Sequence, residues 1–449
     1  MEMEKSTSQP TQKASFAALL VLVTVIAVAD GYDLTVLSAA LPVILAKHEW
    51  GLTAATAGVV ASIQMLGLLI GAILSGSLRD RIGGRKMLIL NLLFFSIFTA
   101  IVPLAPNAAV LGAFRFLGGL GLGGIIPVMI VLVSEFSPPG RRHLNNTVLL
   151  MGTAVGGLLA PLSGALILPH ANFRWLFVVG GLFPLIVLVP LVGKFVPESP
   201  TYLLTRRADE ARTIADRYGI ELDETVAPMA SDGERTRSNA LRYLFNRSRV
   251  ARTVLLLIAE FFIMGVALGL TSTWLPQYLV LGGFEITSAL LVSVTTFAGA
   301  IVGGLVGGWL QDRTNPKLIV VIGCFGGAAT LLLIGAALQV AALVYVLVFA
   351  LGFLNTIYIM NGFIANSHPA AVRATMVGLA FGVGRTGGIF LTAAGGWVAA
   401  AALPPAANFW LWSVALFIPA VVLLFARSTS SVPAAGAVAN APAVASTVG

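Results

Sequence analysis

The amino-acid sequence predicts an all-α polytopic membrane protein with twelve transmembrane helices in two pseudo-symmetric six-helix bundles, and three observations predict it. The 449 residues are 57% hydrophobic and 10% charged, with a mean hydropathy of +0.94. Soluble domains carry about 25% charged residues, because polar groups have to meet water at their surface. Twelve apolar runs reach the roughly 20 residues that a helix needs to cross about 30 Å of hydrocarbon. A single offset of 232 residues superposes the first half of the chain on the second, as in membrane folds built from repeats. The first observation by itself excludes a soluble enzyme, a nucleic-acid-binding domain and a disordered chain.

The N-terminal unit is expected over 1–194, with a short tail and spans at 16–46, 54–78, 87–104, 107–134, 145–168 and 173–194. Span 1 is too long for a signal-peptide core. It carries Asp30 and Asp33, whose i,i+3 spacing puts both on one helix face. Two carboxylates that close resist joint ionisation, so the pair is a candidate proton carrier; the plainer role is a structural pair satisfied by a cation. Tyr32 and Gln64 are candidates for lining a central cavity. Span 4 holds Arg115 ahead of a glycine-rich stretch that lets a neighbouring helix approach closely. Arg115 is read as a partner for the aspartates or a substrate contact. Glu135, at the end of span 4 near Arg141 and Arg142, is read as a boundary ion pair or gate element. Ionisable groups inside a membrane cost roughly 2.5–3.5 kcal/mol on insertion scales and are functional candidates by default.

Residues 195–252 form a polar, arginine-rich linker that is expected to be partly helical. Ser199 caps and Pro200 opens a helix that runs to about Arg217 and ends at Gly219; 220–238 reads as a flexible stretch. The C-terminal unit is expected over 253–427, with spans at 253–280, 287–310, 317–339, 341–366, 374–401 and 407–427. Glu260 in span 7 is a second candidate protonation site or the resting partner of Arg385. Trp274, Gln277, Tyr358 and Asn361 are further candidate cavity residues. Cys324, the one cysteine, reads as a packed thiol. Arg385 sits halfway along span 11. Its planar fork of donors suits a carboxylate, which makes it the leading candidate for holding an anionic substrate. The tail over 428–449 is low in complexity and is assigned no fold.

Orientation follows from the basic residues. Of 27 Lys and Arg, 23 lie in the termini or in the loops after spans 2, 4, 6, 8 and 10. Both termini and the linker are therefore expected in the cytoplasm, and the net charge of +8 marks topology rather than nucleic acid. Under the 232-residue offset, Gly67, Gly71 and Gly76 map to Gly299, Gly303 and Gly308. Asp80 and Arg81 map to Asp312 and Arg313, Arg141 to Arg373, and Gly152 and Gly156 to Gly384 and Gly388. Glycines four apart are expected to pack helices closely and to form smooth faces where the halves slide.

The loop after span 2 contains Gly76, Asp80, Arg81, Gly83, Arg85 and Lys86, and the loop after span 8 repeats Gly308, Asp312, Arg313 and Lys317. These loops resemble the signature loop of the major facilitator superfamily, with Gly84 and Asn315 as departures. The resemblance implies a gating latch in which the acid and the basic turn clip neighbouring helices in one conformation. Asp80, Arg81, Arg85, Glu135, Arg141, Asp312, Arg313 and Arg373 are the expected gate residues. Asp30-Gly-Tyr-Asp33 with Pro42, Pro197-Glu198-Ser199-Pro200, Trp274-Leu-Pro276, and Arg373 to Gly378 followed by Gly384-Arg385 are similar to motifs of the aromatic acid:proton symporter family. His368 and Met376 depart from the pattern.

That resemblance implies uptake of a small aromatic carboxylate of the benzoate or hydroxybenzoate type, with protons, by alternating access in a bacterial inner membrane. A monomer is expected, with the lipid bilayer, protons and the acid as its partners. No cofactor, metal, nucleic acid or enzymatic chemistry is expected: the four His show no metal spacing, and no nucleophile–base cluster is recognisable. A sugar or other metabolite porter, a proton-driven exporter and a non-transporting receptor are the alternatives.

Overall fold

The computed structural model describes residues 8–138, 140–220, 240–311 and 313–426. Its spans are Ser8–Ala46, Ala54–Ile82, Gly84–Ala100, Ala108–Phe136 and Arg142–Ile167 (spans 1 to 5). Span 6 runs through Arg174–Phe183, Pro184–Leu188 and Val189–Phe195. Span 7 runs through Val250–Val266, Ala267–Trp274 and Leu275–Leu281. Ile286–Gln311 and Pro316–Ala336 are spans 8 and 9, Ala341–Phe353 with Ile357–Asn366 make span 10, and Ala370–Ala400 and Pro405–Phe425 are spans 11 and 12. The protein is a multi-pass, all-helical membrane protein, since backbone groups in lipid have to be satisfied within a span.

Three elements differ from the sequence expectation. Among the described residues, eleven helices are long and apolar enough to cross a membrane, and span 10 is instead two short helices. The break at 354–356 is stabilised by Asn355, whose side-chain oxygen accepts from the N–H of Ile357 at 3.1 Å. Second, the expected helix over 200–217 is two helices, Pro200–Leu204 and Ala208–Tyr218. Ser199 caps the first by accepting from the N–H of Tyr202 at 3.3 Å, and Gly219 ends the second in the left-handed region at φ 63. Third, span 2 stays helical through Asp80 and Arg81 and turns only at Gly83, so the motif after span 2 is largely helix, not loop.

The repeat in the sequence is a repeat in packing. A Cβ added at Gly67 or Gly71 would overlap the carbonyls of Phe116 or Leu120, and one at Gly299 or Gly303 those of Phe349 or Phe353. Spans 2 and 4, and their copies 8 and 10, thus meet backbone to backbone at equivalent heights. These glycines hold each bundle together; they do not face the other bundle, as the sliding reading had expected.

The bundles meet along spans 2 and 11 and along spans 5 and 8. Both contacts are closed from the end opposite Ser8 and Phe425 to about mid-span, where Arg385 of span 11 reaches the Leu68 carbonyl of span 2 and Gly157 of span 5 lies against Phe297 of span 8. At that closed end Gly58 of span 2 lies against Gly396 of span 11, and Gly164 of span 5 lies against Leu290 of span 8. Gly76 lies 18 residues after Gly58, and Gly308 lies 18 after Leu290. Eighteen residues are five helical turns at about 3.6 per turn, so each pair shares a helix face. Yet a Cβ at Gly76, Gly308, Gly378 or Gly382 would meet nothing within 4 Å. The same faces that touch at one end stand apart at the end carrying the termini, which leaves a wedge-shaped opening between the bundles.

Candidate functional site

At the apex of that wedge, span 1 presents its two aspartates to different neighbours. Asp33 is fully buried. Its Oδ1 accepts from the Thr99 hydroxyl at 2.6 Å and from Arg115 Nη1 at 3.1 Å, and its Oδ2 from Gln64 Nε2 at 2.9 Å. Arg115 also donates to the Asp33 carbonyl at 3.0 Å and to the Gln64 side-chain oxygen. Spans 1, 2, 3 and 4 are therefore tied at one level. The ion pair is 1% exposed on both sides; Arg115 does not reach toward the membrane surface.

Removing one member of a buried pair leaves the other charge without compensation, at about 3–5 kcal/mol. Arg115→Ala is therefore expected to lower the thermal unfolding midpoint of the detergent-purified protein sharply. Thr99→Val, which deletes one neutral donor, is expected to lower it only slightly. Equal midpoints for wild type and Arg115→Ala would refute this role.

Among the described residues Asp30 has no hydrogen-bond partner and no ion pair within 4 Å, although it is 2% exposed. It lies close enough to Arg385 of span 11 for each to feel the other's charge. Arg385 crosses the bundle interface: its Nη1 donates to the Leu68 carbonyl of span 2 at 3.2 Å, and its guanidinium stands 4.9 Å from the ring centre of Phe381. The expected Asp30/Asp33 pair is divided, with Asp33 committed to its own bundle and Asp30 facing the other.

The other candidates are placed as follows. Glu260 is fully buried with neither oxygen hydrogen-bonded and lies under Gly384. It does not partner Arg385. Tyr32 turns into its own bundle, where its hydroxyl donates to the Leu176 carbonyl and meets Ser163 Oγ, both at 3.1 Å. Trp274 is buried, and its indole donates to the Thr392 carbonyl at 2.9 Å, so it joins spans 7 and 11 rather than lining the opening. Gln277 is buried with a free side-chain oxygen. Asn361 donates to the Ile357 carbonyl at 3.0 Å. The side chain of Tyr358 and all of Asp312 lie outside the described residues. Cys324 is a packed thiol, as expected. His368 is buried at the membrane edge and donates from Nδ1 to the Ile364 carbonyl at 2.9 Å. Burial, with the charge of Arg252, pushes its pKa below the usual histidine range.

Of the expected gate residues, Glu135 and Arg85 clip neighbouring helices and the others described do not. Asp80 is 79% exposed and reaches only its neighbour Arg79, at 3.9 Å; Arg81, Arg141 and Arg373 are exposed. Arg313 lies over the Trp309 ring at 4.1 Å. The clips lie inside the N-terminal bundle. Arg79 pairs with Glu135 at 3.2 Å, which ties span 2 to span 4. Glu198 accepts from the backbone N–H groups of Arg85 at 2.9 Å and Ser199 at 3.0 Å, and the Arg85 guanidinium donates to the Gly193 carbonyl. Gly83, at φ 100, is where this clip needs glycine: a Cβ there would strike the Glu198 carboxylate. Sequence reasoning missed Thr99, Arg79 and the role of Glu198. A threonine in an apolar span carries no signal, whereas Glu198 stood in a motif already singled out.

A profile described as Major Facilitator Superfamily matches residues 23–392. The chain belongs to the major facilitator superfamily. Two curated relatives of this facilitator are a benzoate transport protein of Acinetobacter baylyi and a gallate transporter of Pseudomonas putida. The first is 29% identical over 90% of this chain and 87% of the relative. The second is 31% identical over 90% of both. Among solved structures, the partially occluded inward open xylose transporter XylE from E. coli superposes with a TM-score of 0.71 at 17% identity, covering 93% of this facilitator and 99% of that chain. This likeness shows the shared fold. The facilitator is a membrane transport protein.

Proposed function

We propose that this facilitator takes up a small aromatic carboxylate together with protons, by alternating access, and that Asp30 and Arg385 couple the two. The carrying observation is that Arg385 reaches across the bundle interface to the Leu68 carbonyl of span 2, within range of the charge of Asp30 on span 1. While Asp30 is ionised it competes with any incoming carboxylate for the same guanidinium. Once Asp30 is protonated, the substrate anion is the only negative charge facing Arg385. Proton and substrate binding then reinforce each other, and each raises the affinity for the other by the same factor. Carrying a monoanion in alone would work against an inside-negative potential at about 2.3 kcal/mol per charge per 100 mV; one accompanying proton cancels that cost.

The benzoate and gallate transport proteins among the relatives support the aromatic class. The basic residues in the loops after spans 2, 4, 6, 8 and 10 support cytoplasmic termini in the plasma membrane of a bacterium, so the wedge opens inward. The units 1–194 and 253–427 rock about the closed contacts at Gly58–Gly396 and Gly164–Leu290, with 195–252 as the cytoplasmic connector and 428–449 as a cytoplasmic tail. A monomer contains the complete site. Glu260, buried without a hydrogen-bond partner, is proposed as a second group that carries a proton. Asp33 contributes to coupling by holding span 1 in place beside Arg115.

Uptake of radiolabelled benzoate into proteoliposomes tests the reading. Accumulation is expected only with an inward proton gradient, and excess unlabelled hydroxybenzoate but not xylose is expected to suppress it. Accumulation that ignores the gradient would overturn symport, and suppression by xylose alone would overturn the substrate class.

A further inference from the structure

The face of span 11 below Arg385 is built differently from the rest of that helix. Arg385 Nη1 is used by the Leu68 carbonyl, and among the described residues its other N–H groups make no hydrogen bond. Phe381, one turn away, presents its ring face to the guanidinium, 4.9 Å from the ring centre. Phe381 is 38% exposed. That exposure is not to lipid: the most exposed aromatic side chains of this helix, Phe390 at 65% and Trp397 at 62%, lie 9 and 16 residues further on. At 100° per residue, both point to the side opposite Phe381. Gly378 and Gly382 flank Phe381 with nothing within 4 Å of a Cβ. Asp30 of span 1, nearly fully buried and without a hydrogen bond among the described residues, lies within range of the charge of Arg385.

We infer that Phe381, with the bare backbone at Gly378 and Gly382, forms a slot for the substrate's ring beside Arg385, so that the site selects a flat aryl carboxylate over a saturated acid of equal charge. The inference rests on the reading of Arg385 as the carboxylate contact. A carboxylate lying in the guanidinium plane carries its attached ring alongside the Phe381 ring, and aromatic pairs prefer offset or edge-to-face contact at about 4.5–7 Å. A side chain at Gly382 would fill the space into which the ring projects.

The probes are benzoate and cyclohexanecarboxylate, which differ only in ring saturation, with KM and kcat measured in proteoliposomes. Wild type is expected to favour benzoate. Phe381→Leu is expected to raise the KM for benzoate roughly tenfold with kcat nearly unchanged, and to leave cyclohexanecarboxylate within about twofold, so that the preference collapses. Phe381→Tyr is expected to retain the preference, which controls for folding, and Gly382→Val is expected to raise both KM values. A benzoate preference that survives Phe381→Leu, while Arg385→Gln still abolishes uptake, would overturn the slot and leave the proposed function standing. Unimpaired benzoate uptake by Arg385→Gln would instead overturn the reading beneath it.

Discussion

Arg385→Gln is expected to abolish gradient-driven benzoate uptake and to weaken benzoate binding by roughly 10- to 100-fold, since hydrogen bonds to charged groups contribute about 1.5–3 kcal/mol and the variant also loses the attraction between opposite charges. Isothermal titration or intrinsic fluorescence on detergent-purified protein reads the binding, and proteoliposome flux reads the uptake. Lysine is not expected to restore wild-type affinity. An ammonium offers a point charge in place of a planar fork, and it loses the stack on Phe381. The contrast with Arg115 is the discriminating part. Arg115 is committed through both Nη groups to Asp33 and Gln64 inside its own bundle, so its loss is expected to lower stability, whereas Arg385 has no acid bonded to it among the described residues, so its loss is expected to lower affinity with little change in the unfolding midpoint. Intact benzoate affinity in Arg385→Gln would place the anion elsewhere.

Asp30→Asn is expected to separate movement of the carboxylate from movement of the proton. The amide keeps the size of the acid but is permanently uncharged, so it leaves Arg385 available to the substrate at every pH. Exchange of labelled for unlabelled benzoate, which needs no net proton movement, is expected to persist, while accumulation driven by an inward proton gradient is expected to vanish. The sign of the pH dependence follows from the same geometry. On the proposed reading, the wild-type form that binds benzoate carries a proton on Asp30, and apparent affinity scales with the population of the competent form. Affinity is therefore expected to rise as pH falls through the titration of Asp30 and to level off below it. In Asp30→Asn that dependence is expected to be flat. A variant that still accumulates benzoate in response to the gradient would reject Asp30 as the coupling group. Asp33→Asn offers no such separation, because the three donors around Asp33 would lose a charge-assisted network and the four spans it ties together.

Both expectations rest on charges that were visible in the chain before any coordinates. Asp30, Asp33, Arg115, Glu260 and Arg385 stand out because an ionisable side chain in hydrocarbon is costly, so the short roster of buried charges is legible from residue type and position alone. Thr99 was not legible. Threonine is common in apolar spans, and nothing in its neighbourhood distinguishes the one that donates to Asp33 from those that bond their own helix, such as Thr271 to Ala267. The motif after span 2 shows the opposite failure. Its acid recurs in the second half of the chain and suggested a latch, yet Asp80 points into open space and Glu135 and Glu198 make the contacts. Charge pattern identifies which groups are available at a membrane edge, but not which of several nearby bases and acids meet there.

The sequence by itself determined the helical class, the number of crossings, the repeat and the set of buried ionisable groups. Each follows from local quantities: run length against membrane thickness, residue spacing against helical pitch, and the cost of burying a charge. Tertiary structure alone decided how Asp30 and Asp33, three residues apart on one face, came to serve different bundles, and which end of the molecule stands open. Those outcomes depend on the rotation and tilt of twelve helices against one another, which small differences in interhelical packing set and no single segment encodes.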